Sequence, residues 1–428
     1  MAAAVAGVVM CAGALEAEAA VQVALVSRTP TGVPANGEST VYGWGGSLSQ
    51  DGSIAAFASR AANLPQGDGS TFQVYVRNIP GRTTDIASVN NSGIAATSDT
   101  FAPAISPSGD LVAFEGLGAG LPQANGNYQI WVHDTTTGKT RLVSADAKGR
   151  SGRHGLSLYP TFSGERYVAF ESNADNLPGG SGDDSFVYIR DLKLGKTILA
   201  SKTAGGSPAV ATIGGQALSL DARFVVFVSN DPGLPSASIF THVYLRDRQT
   251  GSVELIDRAN NGQAASDFSA DASITPDARF VAFDSVASNL PGGAPKDSRG
   301  DEPLPQQCYV RDLEQEKLVL VSKNNAGAPQ NGACFDPHMS ADGRYVAFYA
   351  HATNLPGGDG TTDEVYVRDR KLGKTVLLSK AANGDPADDD SQYPSISLDG
   401  RWVEFVSDAN NMGGRPAHSQ VFRAGPIG

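Results

Sequence analysis

Seven phenylalanines, Phe57, Phe114, Phe170, Phe227, Phe283, Phe348 and Phe405, each close an apolar run and stand 57, 56, 57, 56, 65 and 57 residues apart. A period this long and this regular belongs to stacked or radial repeats, and the content of one period decides between them. Around Phe348 it reads "DPHMS", Asp342-Gly343, "RYVAFYA", a loop "HATNLPGGDGTTDE", then "VYVRD", "RKLGK" and "TVLLSK". That is four strands separated by three turns. Asp-Gly, present also as Asp51-Gly52 and Asp399-Gly400, signals a short hairpin whose two central residues both take positive φ. "YVAF" is apolar on both strand faces, which suits a strand covered on both sides by neighbouring sheets. "VYVRD" returns from Val74, Ile130, Val187, Val243, Cys308 and, degraded, Val421, and its β-branched and aromatic residues fit a strand.

A four-stranded unit repeated radially is a propeller blade, an arrangement that leaves only short outer edges. The last unit stops at "VFRAGPIG" without a fourth strand, whereas "VQVALVSR" near the start matches the fourth-strand pattern "KLVLVSK". The reading is an all-β chain: a seven-bladed β-propeller of four-stranded blades, one domain over residues 20–428, closed by the N-terminal strand completing the last blade. "DGRYVAF", "NLPGGDGTTDEVYVRD" and "GKTVLLS" resemble the TolB-like, WD-like propeller repeats of exported bacterial proteins. That resemblance implies a periplasmic or extracellular location and, in several members, protein binding.

Composition narrows the partners. With 45 acidic against 33 basic residues the net charge is −12, which argues against nucleic acid or an anionic membrane as the main partner. Residues 1–19 read as a secretory signal peptide, "AAAVAGVVMCAGAL" followed by Ala17-Glu18-Ala19 as a small-x-small cleavage site. No other apolar run approaches a membrane span, so a soluble, exported monomer is expected.

In a propeller the loops joining second to third strands and those joining successive blades emerge on one face, and function is expected there. Asp183 and Asp184, Asp359 and Asp363, and Asp388 within "DPADDD" offer oxygens on Gly-rich backbone of the kind calcium prefers. No full twelve-residue calcium loop is present, so solvated loop carboxylates are the preferred reading; no cofactor is required, and no histidine pair has zinc spacing. The basic stretch "KGRSGRHGLSLYP" supplies Arg153, His154 and Tyr159, a set that a polysaccharide lyase would use to neutralise a uronate and abstract a proton. His338, His351 and Tyr349 form a second grouping, equally explained by packing within the sixth blade. Cys308 and Cys334, the two cysteines left after leader removal, are expected to pair as a disulfide anchoring the insertion "APKDSRGDEPLPQQ". "GKT" at Gly138, Gly195 and Gly373 sits at hairpin turns and lacks the upstream glycine of a phosphate loop. No G-x-S-x-G elbow supports a hydrolase triad. The function expected is a binding or scaffold propeller that presents its loop face to a protein or polysaccharide; the alternative is a carbohydrate-active enzyme, a lyase or glycosidase, on that same face.

Overall fold

The computed structural model describes residues 21–43, 46–293 and 305–428. The leader and most of the blade-five insertion lie outside the described residues. Seven antiparallel sheets follow one another in chain order as the blades of a propeller. Blade six is representative, with strands Ala333–Met339, Tyr345–His351, Glu364–Asp369 and Lys374–Leu377 running from the central channel outward. In blade seven Ser391–Ile396, Val403–Ser407 and Gln420–Gly425 are completed by Gln22–Leu25, which pairs antiparallel with Gln420–Gly425 and joins the two ends of the chain.

The repeated letters each have a packing reason. Phe348 stacks on Tyr366 with ring centroids 5.8 Å apart, and the same pair recurs in the other blades, from Phe57 on Tyr75 to Phe405 on Phe422. Val346, Ala347 and Phe348 are fully buried because adjacent blades cover both faces of their strand. The Arg of "DGRY" lies over its neighbouring ring, Arg344 over Tyr345 at 4.5 Å, and its guanidinium pairs with Asp369 at 2.6 Å, the last residue of the third strand. The Arg of "VYVRD" turns to the preceding blade: Arg77 donates to the Thr29 carbonyl and Arg368 to that of Lys323.

One expectation needs correction, and one blade has an irregular innermost strand. In the Asp-Gly hairpins only the glycine is left-handed, with φ +65° at Gly343. Asp342 instead accepts hydrogen bonds from the Ser340 hydroxyl (2.6 Å) and the Arg344 N–H (2.9 Å), so its carboxylate closes the turn. Blade four has a regular sheet of three strands, Phe224–Ser229, His242–Asp247 and Val253–Leu255. Its innermost segment makes two isolated bridges, Thr212 to Val228 and Leu218 to Val225, around Gly214-Gly215. A Cβ on Gly215 would stand 2.5 Å from the imidazole of His338, which reaches it from blade six.

Candidate functional site

The inner strands carry a bulge at one level. Register breaks between Phe101 and Ala104, Leu158 and Thr161, Ala270 and Ser273, Phe335 and His338, and Gln392 and Ser395. Each bulge holds a non-glycine residue in the left-handed region: Ala102, Tyr159, Asp271, Asp336 and Tyr393, with φ between 45° and 56°. Such a conformation costs about 1–2 kcal/mol per residue, and a bulge re-aims the side chain it carries. Here it directs two tyrosines and two aspartates toward the loop-side mouth of the channel.

The rings form a continuous row there. Tyr42 packs edge-on to Tyr393 (5.3 Å), Tyr393 meets Tyr349 (6.1 Å), Tyr349 stacks on Phe335 (5.0 Å), and Phe335 lies 6.4 Å from His351. Tyr42 is 42% exposed, so the row is open to solvent at one end. Asp363 stands at the other end, accepting from the Gln392 side chain at 2.5 Å and pairing with His351 Nδ1 at 3.1 Å.

Carboxylates occupy the residue after the signature Phe in three blades, where the other blades have Ala58, Val228, Tyr349 and Val406. Glu115 accepts the Tyr159 N–H at 2.5 Å and Glu171 the Ile213 N–H at 2.7 Å, each clamping its blade to the next. Burial pushes their carboxyls up, to about 7 for Glu115 and about 8 for Glu171. The third, Asp284, is one methylene shorter. It is fully buried. Its close polar neighbours are the Gln306 side chain, which hydrogen-bonds it, Asp271 on the adjoining strand of its own blade, and Asp336 on blade six. Burial together with the Asp271 carboxylate drives Asp284 well above the usual range, and burial raises Asp271 also.

Cys308 and Cys334 are bonded, Cα to Cα 5.7 Å, beside this group. Cys308 is the register partner of Asp284, and Cys334 lies two residues before Asp336. Further down, the level that holds Ser47, Ala104, Thr161, Ala217, Ser273 and Ser395 in other blades holds His338 in blade six. Its imidazole sits in the channel with protein around it, burial lowers its pKa to about 4, and the space left beside it is about 10 Å³. Below that waist the opposite mouth widens to a recess of about 470 Å³ lined by Leu48, Ile105, Phe162, Leu220, Ile396 and Leu398. The channel is therefore two recesses of opposite character.

Of the residues singled out from the sequence, Tyr159, Tyr349, His351 and Asp363 stand at this mouth and the others fall elsewhere. Asp359 accepts from the Thr361 and Thr362 N–H groups at 2.7 and 3.1 Å, which hold its carboxyl down to about 2 and spend its oxygens on its own loop. Asp388 caps the Asn410 N–H at 2.7 Å, while the Asp183 and Asp184 N–H groups both donate to the Ser181 hydroxyl. Among the described residues no three His, Cys, Asp or Glu side chains converge as a metal site. His154 and Arg153 both close on Asp175, at 2.8 and 3.2 Å, and Arg150 closes on Asp146 at 2.7 Å. Tyr159 faces the channel beside Tyr42, Glu115 and Glu171, so these contacts draw the candidate lyase set apart. His338 and His351 are likewise divided, one at the waist and one on the rim.

No family model matches the chain, and no curated protein matches it in sequence. Among solved structures, the β-propeller domain of the Trilobed protease from Pyrococcus furiosus, described as having an open velcro topology, is similar over 87% of this chain and 92% of that one, at 13% identity and a TM-score of 0.52. TolB from Acinetobacter baumannii is similar over 87% and 79% at 15% identity, with a TM-score of 0.41. The Cps50 (Swd1) propeller domain of Myceliophteria thermophila is similar over 90% and 97% at 10% identity, with a TM-score of 0.48. The first of these, at a TM-score of 0.52, shows a shared β-propeller fold, and an identity of 13% shows nothing of function. Among the described residues no helix is long and apolar enough to cross a membrane.

Proposed function

We propose that this chain is an exported binding propeller that engages its ligand at the loop-side mouth of the channel. One observation carries the reading: side chains from blades one, five, six and seven converge on a single mouth, held there by backbone conformations that cost free energy. Tyr393, Asp271 and Asp336 are left-handed without being glycine, and conformations of that kind cluster where a site requires them. The hairpin turns of the other face keep their polar groups for themselves, as when Asp369 accepts from the Lys371 and Leu372 N–H groups at 2.8 and 3.0 Å. Variable loops and mouths on a rigid ring are where binding residues gather.

The enzymatic alternative draws on the same mouth, because a protonated carboxyl beside an ionised one is glycosidase chemistry. Photo-crosslinking residues at Tyr42, on the mouth, and at Lys196, on the hairpin face, separate the faces in producing cells. Adducts are expected from Tyr42 alone; adducts from Lys196 alone would overturn the assignment. Release of reducing sugar from a neutral oligosaccharide panel would favour the enzyme.

A further inference from the structure

We propose that Ser238, His242 and Asp257 form a nucleophilic serine site on the loop face of blade four, hydrolysing neutral carboxylic esters with an apolar acyl group. Ser238 lies in the loop between the second and third strands of the blade, His242 opens the third strand, and Asp257 follows the fourth. The Ser238 hydroxyl is 2.9 Å from His242 Nε2, and His242 Nδ1 is 2.8 Å from Asp257 Oδ2. Asp257 is held in turn by the Val243 N–H, which donates to its other oxygen at 3.2 Å. Nucleophile, base and orienting acid therefore stand in one hydrogen-bonded line, a constellation defined by geometry and not by a sequence motif.

Packing alone does not ask for these residues. At the positions of His242 and Asp257, blades one, two and five carry glutamine and serine, with Ser88 donating to Gln73 at 2.6 Å, Ser144 to Gln129 at 2.7 Å and Ser322 to Gln307 at 2.7 Å. That serine also accepts a strand N–H, as Ser88 does from Val74, the part Asp257 plays toward Val243. Blade four departs from the pair at both positions at once. It sets a side chain that can take up a proton where the others set an amide. Because a carboxylate accepts, Nδ1 carries the imidazole proton and Nε2 turns its lone pair toward Ser238. Burial raises the Asp257 carboxyl, and His242 is the strongest influence drawing it back.

The base is dry and the nucleophile is reachable. His242 and Asp257 are 1% and 0% exposed, whereas Ser238 faces solvent beside Ile239, which is 81% exposed. Phe240 packs edge-on against Phe268 of blade five at 5.0 Å, and Phe268 is itself half exposed. Ile239 and Phe268 offer an acyl chain apolar surface next to the hydroxyl. The charges acting on Tyr244, whose ring meets that of His242, come from Asp257 and Asp231, so an anionic ester is disfavoured. In the reaction Ser238 Oγ attacks the ester carbonyl carbon while its proton passes to His242 Nε2. The carbon–alkoxy bond breaks and the alcohol leaves with that proton. Water then adds to the acyl-serine and gives a proton to the same nitrogen, which returns it to the serine oxygen as the carboxylic acid is released. The Ile239 N–H meets no acceptor among the described residues and is free to donate to the oxygen that becomes negative.

The test is hydrolysis of p-nitrophenyl butyrate by the full chain, with labelling by a fluorophosphonate probe and mass spectrometry of the modified peptide. Saturable turnover and a label on Ser238 are expected. Ser238→Ala should abolish that label and lower turnover about 100-fold or more. His242→Gln/Asp257→Ser installs the pair that blades one, two and five already carry, and should lose turnover and label alike while melting curves verify its fold. If that variant does not fold, Ser238→Ala, at an exposed hydroxyl, decides the matter. Absence of turnover, a label on other residues only, or turnover unchanged in either folded variant would overturn the proposal.

Discussion

Removing the strand that joins the chain's two ends should cost a large part of the protein's stability. Gln22–Leu25 pairs residue for residue with Phe422–Gly425, and beyond it the Val26 and Ser27 N–H groups donate to the Val421 carbonyl while the Ser27 hydroxyl donates to Gln420 at 2.9 Å. At ~1 kcal/mol net for each hydrogen bond, these are worth roughly 5 kcal/mol. Val26 is buried and Val23 and Leu25 are partly so, which adds roughly 3 kcal/mol. A loss of about 8 kcal/mol is comparable with the whole stability of an ordinary protein. With an unfolding entropy of about 0.9 kcal/mol per kelvin for a chain of this length, it corresponds to a fall of about 9 °C. The edge left on Gln420–Gly425 would also invite pairing with other chains. Calorimetry and size-exclusion chromatography of a chain beginning at Arg28, against one beginning at Ala20, read both effects. A peptide of residues 20–27 should restore the monomer. An unchanged melting temperature and a monomeric profile would refute the reasoning.

Three further outcomes follow from named contacts. Replacing Cys308 and Cys334 by Ala opens a loop with a sequence separation of 26, a loss on the order of 3 kcal/mol in the chain-entropy model, visible as a melting temperature lowered by about 3–4 °C; no change would show that the bridge constrains nothing. Glu171, Glu364 and Glu404 hold their protons to about 8 through burial, so the folded chain binds more protons than the unfolded one and stability falls as pH rises toward 8. His338, lowered to about 4, opposes this only below its ordinary 6.5, so melting temperature should fall between pH 6.5 and 8 and the slope should flatten in Glu171→Gln/Glu404→Gln; a rising profile would contradict the assignment. Gly215→Ala sets a Cβ 2.5 Å from His338 Nε2 and should destabilise by about 1–3 kcal/mol, with most of the loss recovered in the Gly215→Ala/His338→Ala double variant; additive losses would show that the two residues do not meet.

The blades were legible because each repeated letter answers to local packing. "YVAF" is buried on both faces, Phe348 needs Tyr366, and Leu355 of "NLP" is buried as a plug. The mouth was far less legible, because its residues meet only after the ring closes. Nothing in "ADASIT" or "FDPHMS" announces that Asp271 and Asp336 take positive φ and turn inward, nor that Asp284 from the next strand will join them. The readable signal was a departure from the repeat: an acid directly after the signature Phe at positions 115, 171 and 284, where an apolar residue would suit a buried strand. Conversely, the loop residues that looked chemical were spent locally. Asp359 folds back on Thr361 and Thr362, and His154 finds Asp175, contacts that require the turn and inter-blade geometry to be known.

A propeller ring supplies equivalent positions, so function must enter as differences among them. At the bulge level those differences are ordered around the ring: Tyr393 in blade seven, Ala102 in blade two, Tyr159 in blade three, Gly214-Gly215 in blade four, and acids in blades five and six. The acids coincide with the blades joined by the disulfide, whose cysteines adjoin Asp284 in register and Asp336 in sequence. Burial raises Asp271 and Asp284 toward their neutral forms, which lets the two carboxyls lie together, and the covalent link ties their blade to the one that carries Asp336. The bridge then acts on the mouth as well as on stability, fixing the spacing of these carboxyls across the boundary between blades five and six. Rigidity of this kind reduces what a ligand must spend on ordering its site, which is why the bridge, the bulges and the buried Asp284 belong to one argument.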